Sequence, residues 1–292
     1  MTNLIKWKMM AWIGLFMLTV VSCKKVESLD IDSTKTGDFS IEFDNLVGDY
    51  GLQFNNTNKP YINAKGEAFT VSRVQYYISN IKVKKADGSE YAVPQDPVEE
   101  SYFLVYGDNR GSRFAKVKVP EGDYTQVSFV LGVDSARSTM GLDARTGVLD
   151  PTTGDHETQG MYWGWNSGYI FFKFEGNSPV ISDDQQGDPT GRKQFKYHIG
   201  GFGGYNAPTL NNIKTITIDL TKAGVAQVRA GYRSNVHLFV DLMKVFNGTH
   251  TFSIAEHPNV MFSEYSQYIA DNFLDMFTHD HTENGVTSED QL

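Results

Sequence analysis

Residues 115–133 read AKVKVPEGDYTQVSFVLGV. Ala115, Val117 and Val119 alternate with lysines, a Pro120-Glu121-Gly122-Asp123 turn follows, and Val127, Phe129, Leu131 and Val133 resume the period of two. Alternation of this kind marks a half-buried strand, because successive side chains leave opposite faces of a sheet. Two such runs around a Pro-Gly turn predict a β-hairpin.

The same period recurs on both sides. Phe39, Ile41 and Phe43 alternate with polar residues, as do Val74, Tyr76 and Ile78. Ile81 and Val83 then fall out of phase, which predicts a β-bulge near Ser79-Asn80. Ala86-Asp87-Gly88-Ser89 suits a hairpin turn leading to Tyr91 and Val93. Tyr102–Tyr106 (YFLVY) is continuously apolar, as a strand covered on both faces would be. Further strands are expected at Tyr169–Phe174, Phe195–Ile199, Ile216–Leu220 and Val236–Leu242. One helix is expected, capped by Ser263 and burying Tyr265, Ile269, Phe273 and Met276 at spacings of three and four. The polar run HDHTENGVTSEDQL after it reads as a frayed tail. Many short strands, one late helix and no βαβ rhythm predict an all-β fold, an antiparallel β-sandwich with one C-terminal helix.

The N-terminus places the protein outside the cytoplasm. Lys6 and Lys8 precede an apolar run from Met9 to Val21, which fits the core of a signal peptide and is too short for a comfortable membrane span. Val20-Val21-Ser22-Cys23 resembles a lipobox, so residues 1–22 are expected to be a lipoprotein signal peptide and Cys23 the lipidated residue. Residues 23–38 read as a polar tether, 39–281 as one β domain and 282–292 as a disordered tail. Cys23 is the single cysteine, so no disulfide or thiolate metal site can form within the chain. With 35 Asp and Glu against 26 Lys and Arg, and no basic run, nucleic acid is not an expected partner.

Met161–Gly204 holds the most unusual chemistry. Met161, Trp163 and Trp165 share a face if extended, and form either a buried aromatic rib or a ligand pocket in which Met161 offers a thioether. In FKYHI, Phe195, Tyr197 and Ile199 take one face of a strand and His198 the other. At the far end, Met276-Phe277-Thr278-His279-Asp280-His281 presents two imidazoles with a thioether and a carboxylate close by, donors that suit copper or zinc. His250 and His257 match no zinc spacing. Asp183, Asp184 and Asp188 read as a solvated acidic loop rather than a calcium site. No nucleophile elbow, His-Glu-x-x-His, phosphate-cradling loop or dinucleotide fingerprint occurs, so an enzyme is not expected.

YYISNIKV (Tyr76–Val83), LGVDSARS (Leu131–Ser138), LDP (Leu149–Pro151), MYWGWNSGYIFFKFEG (Met161–Gly176) and FKYHIGG (Phe195–Gly201), in that order, resemble the copper-binding MbnP-like family, and DNFLDMFTHDH resembles the ending of its lipoprotein members. The resemblance spans Phe39 to His281. It implies a β-rich, exported copper-binding protein, with His198 a ligand and a tryptophan oxidised to kynurenine. Two features depart from the family. Cysteines that some members carry after the His-x-Gly element are absent, and no histidine precedes His156, so a second imidazole must come from elsewhere.

The expected function is therefore that of a lipid-anchored copper-binding protein of the bacterial envelope, periplasmic or on the outer-membrane surface. It would act in metal handling or storage without catalysis, with other copper-handling proteins as partners. Its expected metal ligands are His198, His279, His281 and Met276. The alternative is a binding or assembly module that recognises a peptide, glycan or partner protein through an aromatic groove.

Overall fold

The computed structural model of the protein describes residues 31–151, 160–163, 166–185 and 191–287. Residues 1–22, expected to be a signal peptide, and Cys23, Trp165, Asp188 and residues 288–292 lie outside the described residues. In chain order the first eight strands are β1 (Thr36–Val47), β2 (Tyr50–Gly51), β3 (Tyr61–Ile62), β4 (Ala68–Lys85), β5 (Glu90–Ala92), β6 (Phe103–Tyr106), β7 (Phe114–Pro120) and β8 (Gly122–Leu131). They are followed by β9 (Ile170–Asn177), β10 (Gln194–Gly200), β11 (Lys214–Asp219), β12 (Ala226–Val228), β13 (Tyr232–Asp241), β14 (Asn259–Val260) and β15 (Phe277–Thr287).

Residues 115–133 form two strands, but these do not pair with each other. β7 lies antiparallel to β1, from Thr36 opposite Pro120 to Glu42 opposite Phe114, whereas β8 pairs with β4 and β11 in the other sheet. The chain crosses between sheets at Glu121. Its N–H donates to Lys35 O, and its carboxylate accepts from the N–H groups of Asp32 and Ala230, each bond 2.9 Å long. Those bonds hold the corner out of a hairpin. Period two tells which face a residue takes, not which strand lies beside it.

The smaller sheet runs β15-β13-β1-β2, with β7 also on β1, and the larger runs β11-β8-β4-β9-β10-β14, with β3, β5 and β6 on β4 and β12 on β8. Pairing is antiparallel except for β1 with β13 and β10 with β14. This is an all-β sandwich with its core between the sheets. The bulge expected near Ser79-Asn80 is present, with a register shift between Ser79 and Lys82 and a positive φ of 52° at Asn80. The hairpin at Ala86–Ser89 also forms, joining β4 to β5.

Helix is scarce. α1 spans Ser135–Thr139, α2 Lys244–Asn247 and α3 Glu264–Asn272. Ser263 stands at the N-cap of α3 in extended conformation without a side-chain cap bond. The helix ends earlier than expected, and a 3₁₀ turn over Phe273–Asp275 delivers Met276 into the core, fully buried. Residues 277–287 are not a frayed tail. They form β15 and pair with β13, because the polar and apolar residues of a strand at a sheet edge need not alternate cleanly.

Aromatic rings fill the core. Phe246 on α2 meets Phe69 at 4.8 Å between centroids, Phe174 at 5.8 Å, Phe195 at 6.0 Å and Tyr197 at 5.8 Å. Glu67 is buried nearby and accepts from Asn63 Nδ2, Ser253 Oγ and the N–H groups of Ile254 and Ala255, which fixes the loop before α3. A second layer covers the outer face of β4. There Tyr77 Oη donates to Val148 O at 2.9 Å, Tyr169 Oη to Leu149 O at 2.6 Å, and the two rings meet edge to face. Phe246→Ala should lower unfolding free energy by about 3–5 kcal/mol in denaturant titration, since four ring neighbours cannot all close on the void. A loss under about 1 kcal/mol would show that α2 is not part of the core.

Candidate metal centre

His198 leaves the outer face of β10, opposite Lys173 on β9. Phe195, Tyr197 and Ile199 of the same strand are buried in the core, as their alternation requires. The Nε2 of His198 lies 2.7 Å from Glu175 Oε1, and Glu175 Oε2 lies 3.8 Å from Arg73 Nε. Lys173 donates to the carbonyl of Gly160. Burial holds the His198 imidazole below its ordinary value against the opposing pull of the Glu175 bond. Burial likewise pushes the Lys173 ammonium down to about 8, so it remains largely charged at neutral pH. The result is a closed network of one carboxylate among cations.

The aromatic wall beside it is structural in part. Met161 is fully buried within the core, with its thioether among apolar neighbours. Trp163 is half-buried, its backbone N–H donates to Gly168 O at 2.8 Å, and its ring stands edge-on to Phe262. A Cβ on Gly200 would fall 2.3 Å from Tyr169 O and 2.9 Å from Trp163 Cζ3, so glycine there lets the indole pack against β10.

His279 and His281 do not reach His198. They lie on β15 in the smaller sheet, whereas β10 belongs to the larger one. Nor do both imidazoles share a site. His279 stands opposite Leu238, holds Thr282 Oγ1 at 2.9 Å, and burial lowers its pKa. Met276 is enclosed in the core and is no companion to them.

His281 finds a different partner. It stands opposite His237 on β13, while His279 stands opposite Leu238, so Asp280 is the extra residue of a β-bulge. A bulge re-aims side chains. Here it brings Asp280 Oδ2 to 2.8 Å from His281 Nδ1 and 3.1 Å from His237 Nδ1. The two imidazoles stack at 5.0 Å, and Phe239 meets the His237 ring edge-on at 5.3 Å. His237 is 14% exposed, Asp280 36% and His281 49%, so the cluster has a buried floor and an open side. Its donor atoms all lie within 4.8 Å of one another. The buried Nδ1 of His237 has no aligned hydrogen bond despite its nearness to the carboxylate. Glu283 Oε1 lies 3.7 Å from His281 Nε2 at the rim. Two imidazole nitrogens, one carboxylate oxygen and an accessible fourth position suit Cu(II), Zn(II) or Ni(II).

His237 was not among the residues the sequence pointed to, and Asp280 was read there only as a carboxylate close to the two imidazoles. His237 alternates with Val236, Leu238 and Val240, a sign that it faces outward, but its neighbour across the sheet could not be read. His250 is held by Asp271 at 3.3 Å and His257 stacks on Tyr265 at 3.9 Å, away from this cluster. Asp183 is exposed and pairs with Lys193 at 3.3 Å.

The family model described as MbnP matches residues 36–262. That span includes His198 and His237 and stops short of β15. Among solved structures the chain is similar to MbnP from Methylosinus trichosporium, with 15% identity over 79% of this chain and 82% of that one and a TM-score of 0.50. At that identity the likeness is one of fold. No curated protein matches the chain.

The bond to Asp280 raises the His281 pKa. That contact contributes stability fully below the unfolded histidine value of about 6.5 and loses it as pH rises through the higher folded value. In an NMR titration of the imidazoles, His281 should titrate above His198 and His279, and Asp280→Asn should bring it down towards them. An unchanged His281 in that variant would show that the contact does not form.

Proposed function

From the premise that the chain belongs to the MbnP family, we propose that it is an extracytoplasmic copper-binding lipoprotein which holds its metal at His237, Asp280 and His281. The observation that carries this reading is the bulge that turns Asp280 onto the face of two stacked imidazoles. Nitrogen and oxygen donors favour Cu(II) over Cu(I), since the thioethers of Met161 and Met276 are both enclosed in the core. Kynurenine is not required by this donor set. His198 is not a ligand in this reading: Glu175 occupies its Nε2, and the charged Lys173 opposes a second cation.

The site serves holding and transfer rather than catalysis. Its open side lets a partner protein or a small chelator supply the fourth donor, which suits metal handling among other copper proteins. Lipidation at Cys23 would keep the protein on the envelope, periplasmic or at the outer-membrane surface. Among the described residues no helix is long and apolar enough to cross a membrane. A groove formed by Val47, Tyr50, Tyr61, Ile62 and Met243, with Tyr50 72% exposed, favours a second reading as a peptide- or glycan-binding module.

Titration of the full chain with Cu(II), followed by calorimetry and electron paramagnetic resonance, tests the first reading. His237→Ala, Asp280→Ala and His281→Ala should each weaken binding more than the 10–100-fold that removing an outer partner of a metal ligand costs, roughly. His198→Ala should leave it intact. Metal affinity should also fall as pH is lowered and the imidazoles take up protons. Equal binding by wild type and the His237→Ala, His281→Ala double variant would refute the assignment.

A further inference from the structure

Arg137, Arg145 and Arg229 are each buried, at 3%, 7% and 7% exposure. Arg137 pairs with Asp96 and Arg229 with Asp123, whereas Arg145 has no carboxylate partner among the described residues. A buried charge without a counter-ion is costly unless something completes its environment. Arg145 Nε and Nη2 donate to Met140 O, Nη2 also to Ser138 O, and Nη1 to Tyr162 Oη at 2.7 Å. The guanidinium centre lies 5.3 Å from the Tyr162 ring and 5.8 Å from that of Tyr169. A guanidinium carries five donor hydrogens, so one on Nη1 makes no aligned hydrogen bond among the described residues, with the Tyr169 side chain beside it.

That hydrogen has a cavity beside it. Ser138, Arg145, Tyr162, Asn166, Phe202 and Asn206 line a space of about 290 Å³. Ser138 is 2% exposed, and its Oγ has no hydrogen-bond partner among the described residues. Tyr162 Oη accepts from Arg145, which leaves its own proton to donate. The cationic Arg145 and the hydroxyl-bearing Ser138 and Tyr162 thus all line one small space. Phe202 and the tyrosine faces supply apolar contact.

We propose that this cavity binds the carboxylate of a small organic acid. A single guanidinium balances a single negative charge, whereas a phosphate would call for more positive charge than the described lining provides. The carboxylate accepts from Arg145 Nη1, Ser138 Oγ and Tyr162 Oη, and its short carbon chain lies towards Phe202. Because the chain as a whole carries a net charge of −9, anions gain nothing from its overall field, and recognition rests on these donors.

The test is binding of acetate, lactate and succinate to the full chain, by calorimetry and amide NMR shifts, with acetamide and inorganic phosphate as comparison probes. Saturable binding of a carboxylate is expected, with acetamide at least tenfold weaker. Ser138→Ala and Tyr162→Phe should each weaken it at least tenfold, and Arg145→Gln should abolish it. Ser138→Ala removes only an unbonded hydroxyl, so its fold, checked by circular dichroism, should match wild type even if Arg145→Gln does not fold. Absence of saturable binding by all three acids would overturn the proposal. So would equal binding of acetamide, preference for phosphate, or unchanged affinity in both hydroxyl variants.

Discussion

Parallel pairing between β1 and β13 is the constraint on which the smaller sheet depends. Ser40 and Asn235, 195 residues apart, are both fully buried, and the Ser40 hydroxyl donates to Asn235 Oδ1 at 2.7 Å. Such a bond rewards one register and penalises its neighbours, because a buried polar group left unpaired costs more than the bond contributes. The register also decides which side of β13 meets water. A slip of one residue would turn Val236 and Leu238 outward and drive His237 into the core. β15 takes its own position from β13, so the placement of Asp280 is a remote consequence of the Ser40–Asn235 contact.

Much of the architecture was legible because alternation is a local property. The strands around Phe39, Val74, Val127, Phe195 and Val236, the bulge at Asn80 and the helix after Ser263 all announce themselves within a few residues. What was hidden depends on neighbours far away in sequence. Residues 115–133 look like a hairpin, and only the bonds that the Glu121 carboxylate accepts from the N–H groups of Asp32 and Ala230 show why they part. The C-terminal run looks like a tail because its polar residues lack a clear period, and the bulge at Asp280 interrupts what period there is. His198 was placed on the correct face, but Glu175 could not be foreseen as its partner.

The outer faces of the two sheets handle charge differently. On the larger sheet, Glu175 is shared among His198, Arg73 and Lys173, and its own pKa is lowered because those partners outweigh the effect of burial. Nothing there calls for a further cation. On the smaller sheet, Asp280 pairs with two imidazoles and with no Lys or Arg among the described residues, so a divalent ion adds charge where a fixed cation is lacking. In the proposed function the histidine with the most distinctive sequence context is thus not the ligand, and the one inside an ordinary-looking strand takes that role.

Glu121 has a mechanical meaning as well as a topological one. Its carboxylate and N–H tie the chain near Asp32 and Lys35 to the corner between the sheets and to the turn before β13. Tension entering the domain from its N-terminal side is divided among three segments before it reaches β1. Beyond that clip, β1 lies parallel to β13, and a pull along its axis loads the ladder in shear, where many backbone bonds must yield together. A terminal strand hung from the edge of an antiparallel sheet would instead unzip bond by bond.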